Sequence, residues 1–217
     1  MSVTAVPPLA LSALLRDGSR EEHRDAEGSS FMSELVAGRV SGRGYAHYLT
    51  CLREVYAALE EVAHDLQDDP LASAVIDHDL DRLAAIDADL VAWGGPVAVS
   101  SPAAEAYASR IRDAAAWGGL FVAHHYTRYL GDLSGGQVIG RVLTREYDLP
   151  EGAGVDFYRF DAIPKPKPYK DRYRATLDSL PLDDAGRGRI LDEVKAVFGL
   201  NGAIFAELSE LLPEYRR

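Results

Sequence analysis

Asp132 sits in LGDLSGGQVIG, which places Gly131, Gly135, Gly136 and Gly140 inside an otherwise helix-forming segment running from His124 to Arg141. Each glycine costs roughly 1 kcal/mol against alanine in a helix interior, so four of them need a reason other than propensity. A helix face without Cβ atoms admits a flat molecule or a second backbone close to its axis. Gly131 and Gly135 fall one helical step apart with Gly136 beside them, a bare strip with a local bend. Asp132, Ser134 and Gln137 are the polar groups at its edges. Tight helix packing, or a helix end at Gly131, would use the same glycines, but a carboxylate beside the strip suits a site better than a core.

A second group of chemically capable residues lies near the start. Leu11, Leu14, Leu15, Ser19, Glu22, His23 and Ala26 follow one helical pattern, weakened at Gly18. His23 fits either a hydrogen-bonded, partly buried histidine or a metal ligand. Glu27, four residues on, is placed to accept a proton from the imidazole nitrogen that a metal would leave free. Arg16 and Arg20 share an adjoining face, as solvated charges paired with Asp17 or Glu21 or as contacts for an anionic ligand.

The elements that must carry these residues are helical. From the N-cap Ser41, the positions Tyr45, Tyr48, Leu49, Leu52, Val55, Tyr56, Leu59, Val62 and Leu66 keep a 3.6-residue period. Asp69-Pro70 signals a further start, with an interrupted pattern through Leu80, Leu83, Ile86, Leu90 and Trp93 to Gly94-Gly95-Pro96. Ser101-Pro102 opens a helix bearing Tyr107, Ile111 and Ala115, with a break expected at Gly118-Gly119. Residues 149–169, rich in proline and glycine, predict an ordered connection held by aromatics. A last long helix is predicted from about Asp184, with Ile190, Val194, Val197, Phe198, Asn201, Phe205 and Leu208 on its stripe. The expectation is an all-α, single-domain bundle of antiparallel neighbours over 11–212, with a flexible start at 1–10 and a tail at 213–217.

Composition narrows the class. The chain has 217 residues, 47% hydrophobic and 26% charged, enough for one substantial core. A net charge of −11 argues against nonspecific nucleic-acid binding. No apolar run reaches bilayer-spanning length and the first residues lack a signal-peptide pattern, which predicts a cytoplasmic protein without a membrane anchor. Cys51, the single cysteine, fits a reducing compartment and reads as a small buried hydrophobe. P-loop, HExxH, CxxC and dinucleotide-binding patterns are absent.

YTRYLGDLSGGQ resembles the distal-helix signature of heme oxygenases, and HRDAEGSSFM their proximal-helix segment; the likeness runs from about Leu11 to Leu212. It implies a helical bundle with heme b, both substrate and cofactor, held between a proximal N-terminal helix and a bent glycine-rich distal helix. It further implies O2- and electron-dependent opening of heme to biliverdin, IX-alpha by expectation, with release of carbon monoxide and ferrous iron. By the same resemblance His23 is the axial ligand and Glu27 its partner carboxylate. Gly131 and Gly135 lie over the iron face, Asp132 organises distal water, and Tyr56 joins that water network. Arg16, Arg20, Lys170, Arg174 and Tyr126 are implied propionate contacts, although the family usually has lysines where this chain has Arg16 and Arg20, which replaces a point charge with a planar fork. Arg128, Phe31, Met32, Ser134, Gly136, Phe198, Asn201 and Phe205 are implied pocket residues. His124 and His125 precede the strip by more than a turn and read as structural.

Heme degradation of this kind serves iron acquisition or supplies a linear tetrapyrrole, and the electrons come from an external ferredoxin or flavoprotein reductase. A monomer is expected. A heme carrier or sensor using the same pocket is the alternative function. Thiaminase-type or carboxylate di-iron relatives of the fold would need an activated cysteine or inward Glu and His ligands that the helices lack.

Overall fold

Tyr45, Leu49, Leu52, Val55, Tyr56, Leu59 and Val62 are all buried on α4 (Gly42–Asp65), the axis of the larger of two hydrophobic clusters. Ser41 begins this helix as expected, its hydroxyl accepting from the Gly44 amide. The computed structural model describes residues 9–98, 100–147, 149 and 152–217. Around α4 lie α1 (Leu11–Gly18), α2 (Arg20–Glu27), α3 (Ser30–Val36), α5 (Leu83–Ala92), α6 (Pro102–Asp113) and α7 (Gly118–Gly131). They are followed by α8 (Gln137–Glu146), α9 (Pro166–Asp178), α10 (Asp184–Glu210) and α11 (Leu212–Tyr215). The fold is all-α: among the described residues the one β-type pairing is an isolated bridge between Val40 and Arg216.

Two packing relationships position the site. α4 packs on α5 and α6, while α10 packs on α7 and also on α1, α2, α3 and α6. α10 starts at Asp183, whose carboxylate accepts from the Gly186 amide, and its 27 residues reach across the molecule beside α7. Because α2 and α7 both rest on α10, the spacing between them is fixed by that one helix.

Several expected boundaries differ. The N-terminal pattern is two helices that meet at Gly18-Ser19, where Ser19 Oγ donates to the Leu15 carbonyl at 2.7 Å. A Cβ on Gly18 would come within 2.8 Å of Leu191 on α10, so glycine lets the joint sit against that helix. The run from Asp69 to Trp93 is interrupted as expected, and widely so: Asp69 accepts from the amides of Leu71 and Ala72, but only turns and a 3-10 segment at His78–Leu80 follow. Helix resumes at Leu83 because Glu60 of α4 accepts from the amides of Arg82 and Leu83, capping α5 from another element. The break before α7 lies at Trp117 (φ −160°, ψ 118°), and Gly118 and Gly119 are its first helical turn.

The connection after α8 is ordered by aromatics as expected, with Phe157, Tyr158 and Phe160 buried, but it ends before residue 169 because Pro166 opens α9 as a first-turn proline; Pro150 and Glu151 lie outside the described residues. Asp89 accepts from the amides of Asp156 and Phe157 at 2.8 Å, and Trp93 Nε1 donates to the Gly154 carbonyl. The segment 213–217 is no free tail. Tyr215 is buried and its hydroxyl bonds His47 Nδ1 at 2.8 Å, because α11 closes the start of α4. Of the expected flexible start, residues 1–8 lie outside the described residues.

Candidate functional site

The glycine-rich stretch does not end a helix. α7 passes through a π-helical turn at Asp132–Gly136 into α8, so the strip bends without breaking. A π turn inserts one residue and loosens the i→i−4 ladder, which low-propensity glycines permit. Two side chains pin it. Gln137 Nε2 donates to the Tyr158 carbonyl at 2.7 Å, and Lys170 Nζ on α9 donates to Ser134 Oγ at 2.7 Å and the Leu133 carbonyl at 3.2 Å.

The four glycines divide into two pairs with different neighbours. A Cβ on Gly131 would meet nothing within 4 Å, and one on Gly135 would meet only Glu27 Oε1 at 4.0 Å. These two face a cleft. Cβ atoms on Gly136 and Gly140 would each lie 3.0 Å from Tyr158, so that pair exists to seat an aromatic ring.

The cleft holds about 410 Å³ and is lined by Arg16, Ser19, Arg20, His23, Glu27, Tyr126, Thr127, Leu130, Gly131, Ser134, Gly135, Arg174 and Phe198. A deeper lobe of about 130 Å³ shares His23, Glu27, Thr127, Gly131, Gly135 and Phe198 with it. That lobe adds Met32, Arg128, Asp132, Gly136, Asn201 and Phe205 among its walls. One side of the cleft is therefore α2 and the other the α7–π segment, with Phe198 of α10 as the floor they share.

His23 projects into this space from a helix whose buried residue is Ala26. Its Nδ1 lies 3.5 Å from Glu27 Oε2, and its ring meets Phe198 edge-on with centroids 5.3 Å apart. Nε2 is thereby left as the nitrogen available to a metal. Lys195 of α10 reaches Glu22 at 3.3 Å and ties α2 down beside it.

Asp132 is buried at the inner end and is the hub of a polar network. The Tyr56 hydroxyl donates to its Oδ2, Arg128 Nη2 lies 3.4 Å from Oδ1, and Arg128 also donates to Tyr56 and to Asn201 Oδ1 (2.7 Å). Burial pushes the Asp132 carboxyl up from its ordinary value, with Arg128 and Tyr56 pulling the other way. The Tyr56 hydroxyl is pushed well up, burial being the main cause. A carboxylate so held has its oxygens fixed at the wall of the deeper lobe.

The mouth carries guanidinium charge. Arg16 and Arg20 both pair with Asp17, and Arg174 with Asp171 at 3.1 Å, all at exposed positions where such pairs exchange readily with a ligand's carboxylates. Burial pushes the Tyr126 hydroxyl up.

Most of the residues singled out in the sequence thus meet in one cleft, and Phe31 and Lys170 do not. Phe31 is fully buried against Tyr48 and lines neither lobe, since its place on α3 turns it toward α4 and α10. Arg128 lines the deeper lobe, as expected of a pocket residue. Lys170 is engaged with the π turn instead of facing the cleft. His124 and His125 are buried against Glu193 and Tyr173 on the side away from it. Cys51 is buried, and burial pushes its thiol up to about 11, the state of an inert core residue.

Sequence reading missed Ser19, Thr127 and Leu130. The helical offset was the available signal, because Ser19 precedes His23 by four residues and Thr127 precedes Gly131 by four. No three His, Cys, Asp or Glu side chains come together as a group that could hold a metal ion among the described residues.

The residues fit a flat, dianionic, iron-bearing ligand: an unshared imidazole nitrogen faces glycines with empty space above them, and guanidinium groups rim the opening. Comparison with known proteins agrees. The heme oxygenase family model matches residues 9–207, and the chain belongs to the heme oxygenase family. It is 37% identical to human heme oxygenase 1 over 212 residues, 94% of this chain and 74% of that protein. Against heme oxygenase 1 of a Nostoc species it is 37% identical over 204 residues, 91% of this chain and 85% of that one. Among solved structures, heme oxygenase-2 of Synechocystis in complex with heme and NO superposes with a TM-score of 0.90 at 34% identity, covering 95% and 88% of the two chains. The heme oxygenase of Leptospira interrogans gives 0.87 at 37% identity, covering 92% of this chain and all of that one.

Proposed function

We propose that this chain opens heme oxidatively to biliverdin, carbon monoxide and ferrous iron, using O2 and electrons from an external ferredoxin or flavoprotein reductase. The observation that carries the reading is the facing pair: His23 on α2 and the Cβ-free Gly131–Gly135 surface on the α7–π segment, with Asp132 buried behind it. Bound heme supplies the redox iron and the ring that is cut.

The chain's own residues supply the rest. His23 Nε2 would hold the iron, with Glu27 beside Nδ1 to accept its proton, fix the tautomer and raise the basicity of the other nitrogen. Arg16, Arg20 and Arg174, with Tyr126, would hold the two propionates at the mouth, and we infer the IX-alpha product. Lys170 supports this rim through its hold on Ser134. Gly131 and Gly135 would leave space for a small molecule on the side of the cleft that faces His23. Asp132, oriented by Tyr56 and Arg128, holds water that delivers protons on that side, a contribution of roughly 10² to 10⁴ in rate for positioned proton transfer. Met32, Phe198 and Phe205 keep the lobe apolar. On the same reading the enzyme works in the cytoplasm as a monomer.

The test is an absorption time course of the protein mixed with hemin and then given a reductase system in air. A Soret band that forms, decays and yields a red biliverdin band supports the proposal. A Soret band that persists under turnover makes the protein a carrier.

A further inference from the structure

The two sides of the basic mouth belong to different helices. Arg16 stands on α1 and Arg174 on α9, and the two line one cleft with Tyr126. Each guanidinium is tethered to its own helix, Arg16 to Asp17 at 3.0 Å and Arg174 to Asp171 at 3.1 Å. The span from one arginine to the other therefore follows from how α1 lies along α9. Apolar contact leaves that placement loose. Leu11 and Leu15 of α1 share a buried cluster with Tyr173 and Leu177 of α9, but apolar burial is non-directional and permits sliding.

One polar contact between the two helices is directional. Asp178, the last residue of α9, accepts from the Ser12 amide at 2.8 Å and from the Ser12 hydroxyl at 3.0 Å. At the C-terminal end of its own helix this carboxylate meets the negative end of the dipole, whereas at the start of α1 it meets the positive end. Nor does α1 cap itself. Ala10 has the extended backbone (φ −53°, ψ 142°) at which Ser29 (φ −60°, ψ 150°) and Ser41 (φ −68°, ψ 160°) cap α3 and α4, but it has no side-chain oxygen. The missing cap comes from α9. Arg16 follows Ser12 by four residues and Arg174 precedes Asp178 by four, so the helices run antiparallel here. The clamp and the arginine pair are successive rungs one turn apart, about 6 Å of helix.

We propose that Asp178, bonded to Ser12, is a positioning residue for the mouth: it sets the register of α1 on α9, and with it the placement of Arg16 relative to Arg174 that fixes the in-plane seating of a flat ligand carrying two carboxylates on one edge. Two anchored points on an edge suffice to stop a ring from turning in its plane. A turned ring presents a different edge carbon to the Asp132 side, so Asp178 acts on the site without touching the ligand. That hemin is the ligand rests on the oxygenase reading; the register of the two helices does not.

Residual dipolar couplings of the hemin-free protein read the register, and proton NMR of its cyanide-ligated ferric hemin complex reads the seating. Asp178→Ala is expected to change the orientation of α1 relative to α9. It should also raise the minority in-plane seating, seen in the shifted ring-methyl resonances, by about three- to tenfold, the scale of losing hydrogen bonds to a charged acceptor. Asp178→Asn still accepts from the Ser12 amide and can donate to its hydroxyl, so both readouts should stay as in the wild type, which separates the bonds from the charge. Asp178→Ala combined with Ala10→Ser caps α1 through the Ala13 amide without linking it to α9. Its Tm should recover by a few degrees while the displaced orientation and mixed seating persist. Wild-type seating in that double variant makes Asp178 a helix cap only and overturns the proposal. Unchanged orientation or seating in Asp178→Ala does the same, as does an Asp178→Asn protein that seats hemin like Asp178→Ala. If the changes appear but wild-type protein leaves hemin intact under turnover, the oxygenase reading fails and the positioning role stands. If hemin is turned over and its seating is indifferent to Asp178, the positioning role fails and the oxygenase reading stands; a protein that binds no hemin overturns both.

Discussion

The Tyr56 hydroxyl donates to Oδ2 of Asp132 across 76 residues of chain, joining the middle of α4 to the first residue of the π turn. Arg128 donates to the same hydroxyl and faces the other carboxylate oxygen. Asp132 is therefore presented to the pocket by α4, α7 and, through Asn201, α10. A buried carboxylate held so completely is expensive unless its orientation is used.

Asp132→Ala should leave hemin affinity within about threefold and reduce biliverdin formation by roughly 10² or more. Hemin titration followed by a turnover assay checks both numbers. Undiminished ring opening would remove the proton-delivery role.

The two glycine pairs should respond in opposite directions. Gly131→Ala meets open space and gains helix propensity, so the hemin-free protein should be stabilised by up to about 1 kcal/mol. Gly136→Ala would press a Cβ onto the buried Tyr158 ring, which sits against Phe157 at 4.7 Å and has little room to give; it should destabilise by about 1–3 kcal/mol. Thermal melts of the two variants, compared without hemin, decide this.

Gly135→Leu projects a branched side chain into the cleft beside Glu27. The fold should survive, with Tm changed by only a few degrees, while O2 binding to the ferrous hemin complex is blocked. An O2-binding spectrum like that of the wild type would count against close approach at this face.

His23→Ala should remove the axial bond and shift the ferrous hemin spectrum, and added imidazole should restore it. Glu27→Gln, which keeps the shape but removes the charge, should weaken hemin retention roughly 10- to 100-fold, as loss of an outer partner of a ligating histidine does. Competition with a heme-scavenging protein measures that retention.

Stability should fall on mild acidification because of His125. Burial pushes its imidazole down to about 3 from 6.5, so between those values the unfolded chain binds a proton that the folded chain refuses. Stability is thus complete above about pH 6.5 and declines as the pH drops toward 3. Glu193, held at about 2, adds its own loss only below its ordinary value of 4.5. His125→Asn keeps an acceptor near Tyr173 without the titration, and its Tm should be flatter between pH 6.5 and 5. Calorimetry across that interval tests it.

Local periodicity made much of this legible. The helix at Ser41, the long helix from Asp184 and the glycine strip follow from spacing and capping residues within one turn of each other, and a turn is the reach of such signals. His23 and Glu27, or Arg16 and Arg20, share a face because four residues nearly complete a helical turn. Where an interaction came from elsewhere in the chain, the sequence was silent. Glu60 caps α5 from α4, Leu191 demands the glycine at the α1–α2 joint, and Tyr215 folds α11 back onto His47.

The residue types of the site, and the family they resemble, were determined by sequence alone: a histidine with its partner carboxylate, a Cβ-free strip and an aspartate beside it. Tertiary structure decided what each of them faces. It left Gly131 and Gly135 facing open space while setting Gly136 and Gly140 against Tyr158, moved Phe31 into the core, and tied Arg128 to Asp132 while Lys170 fastened the π turn. The reason is physical: a helix fixes which side chains share a face, whereas the object opposite that face is set by packing between segments tens of residues apart.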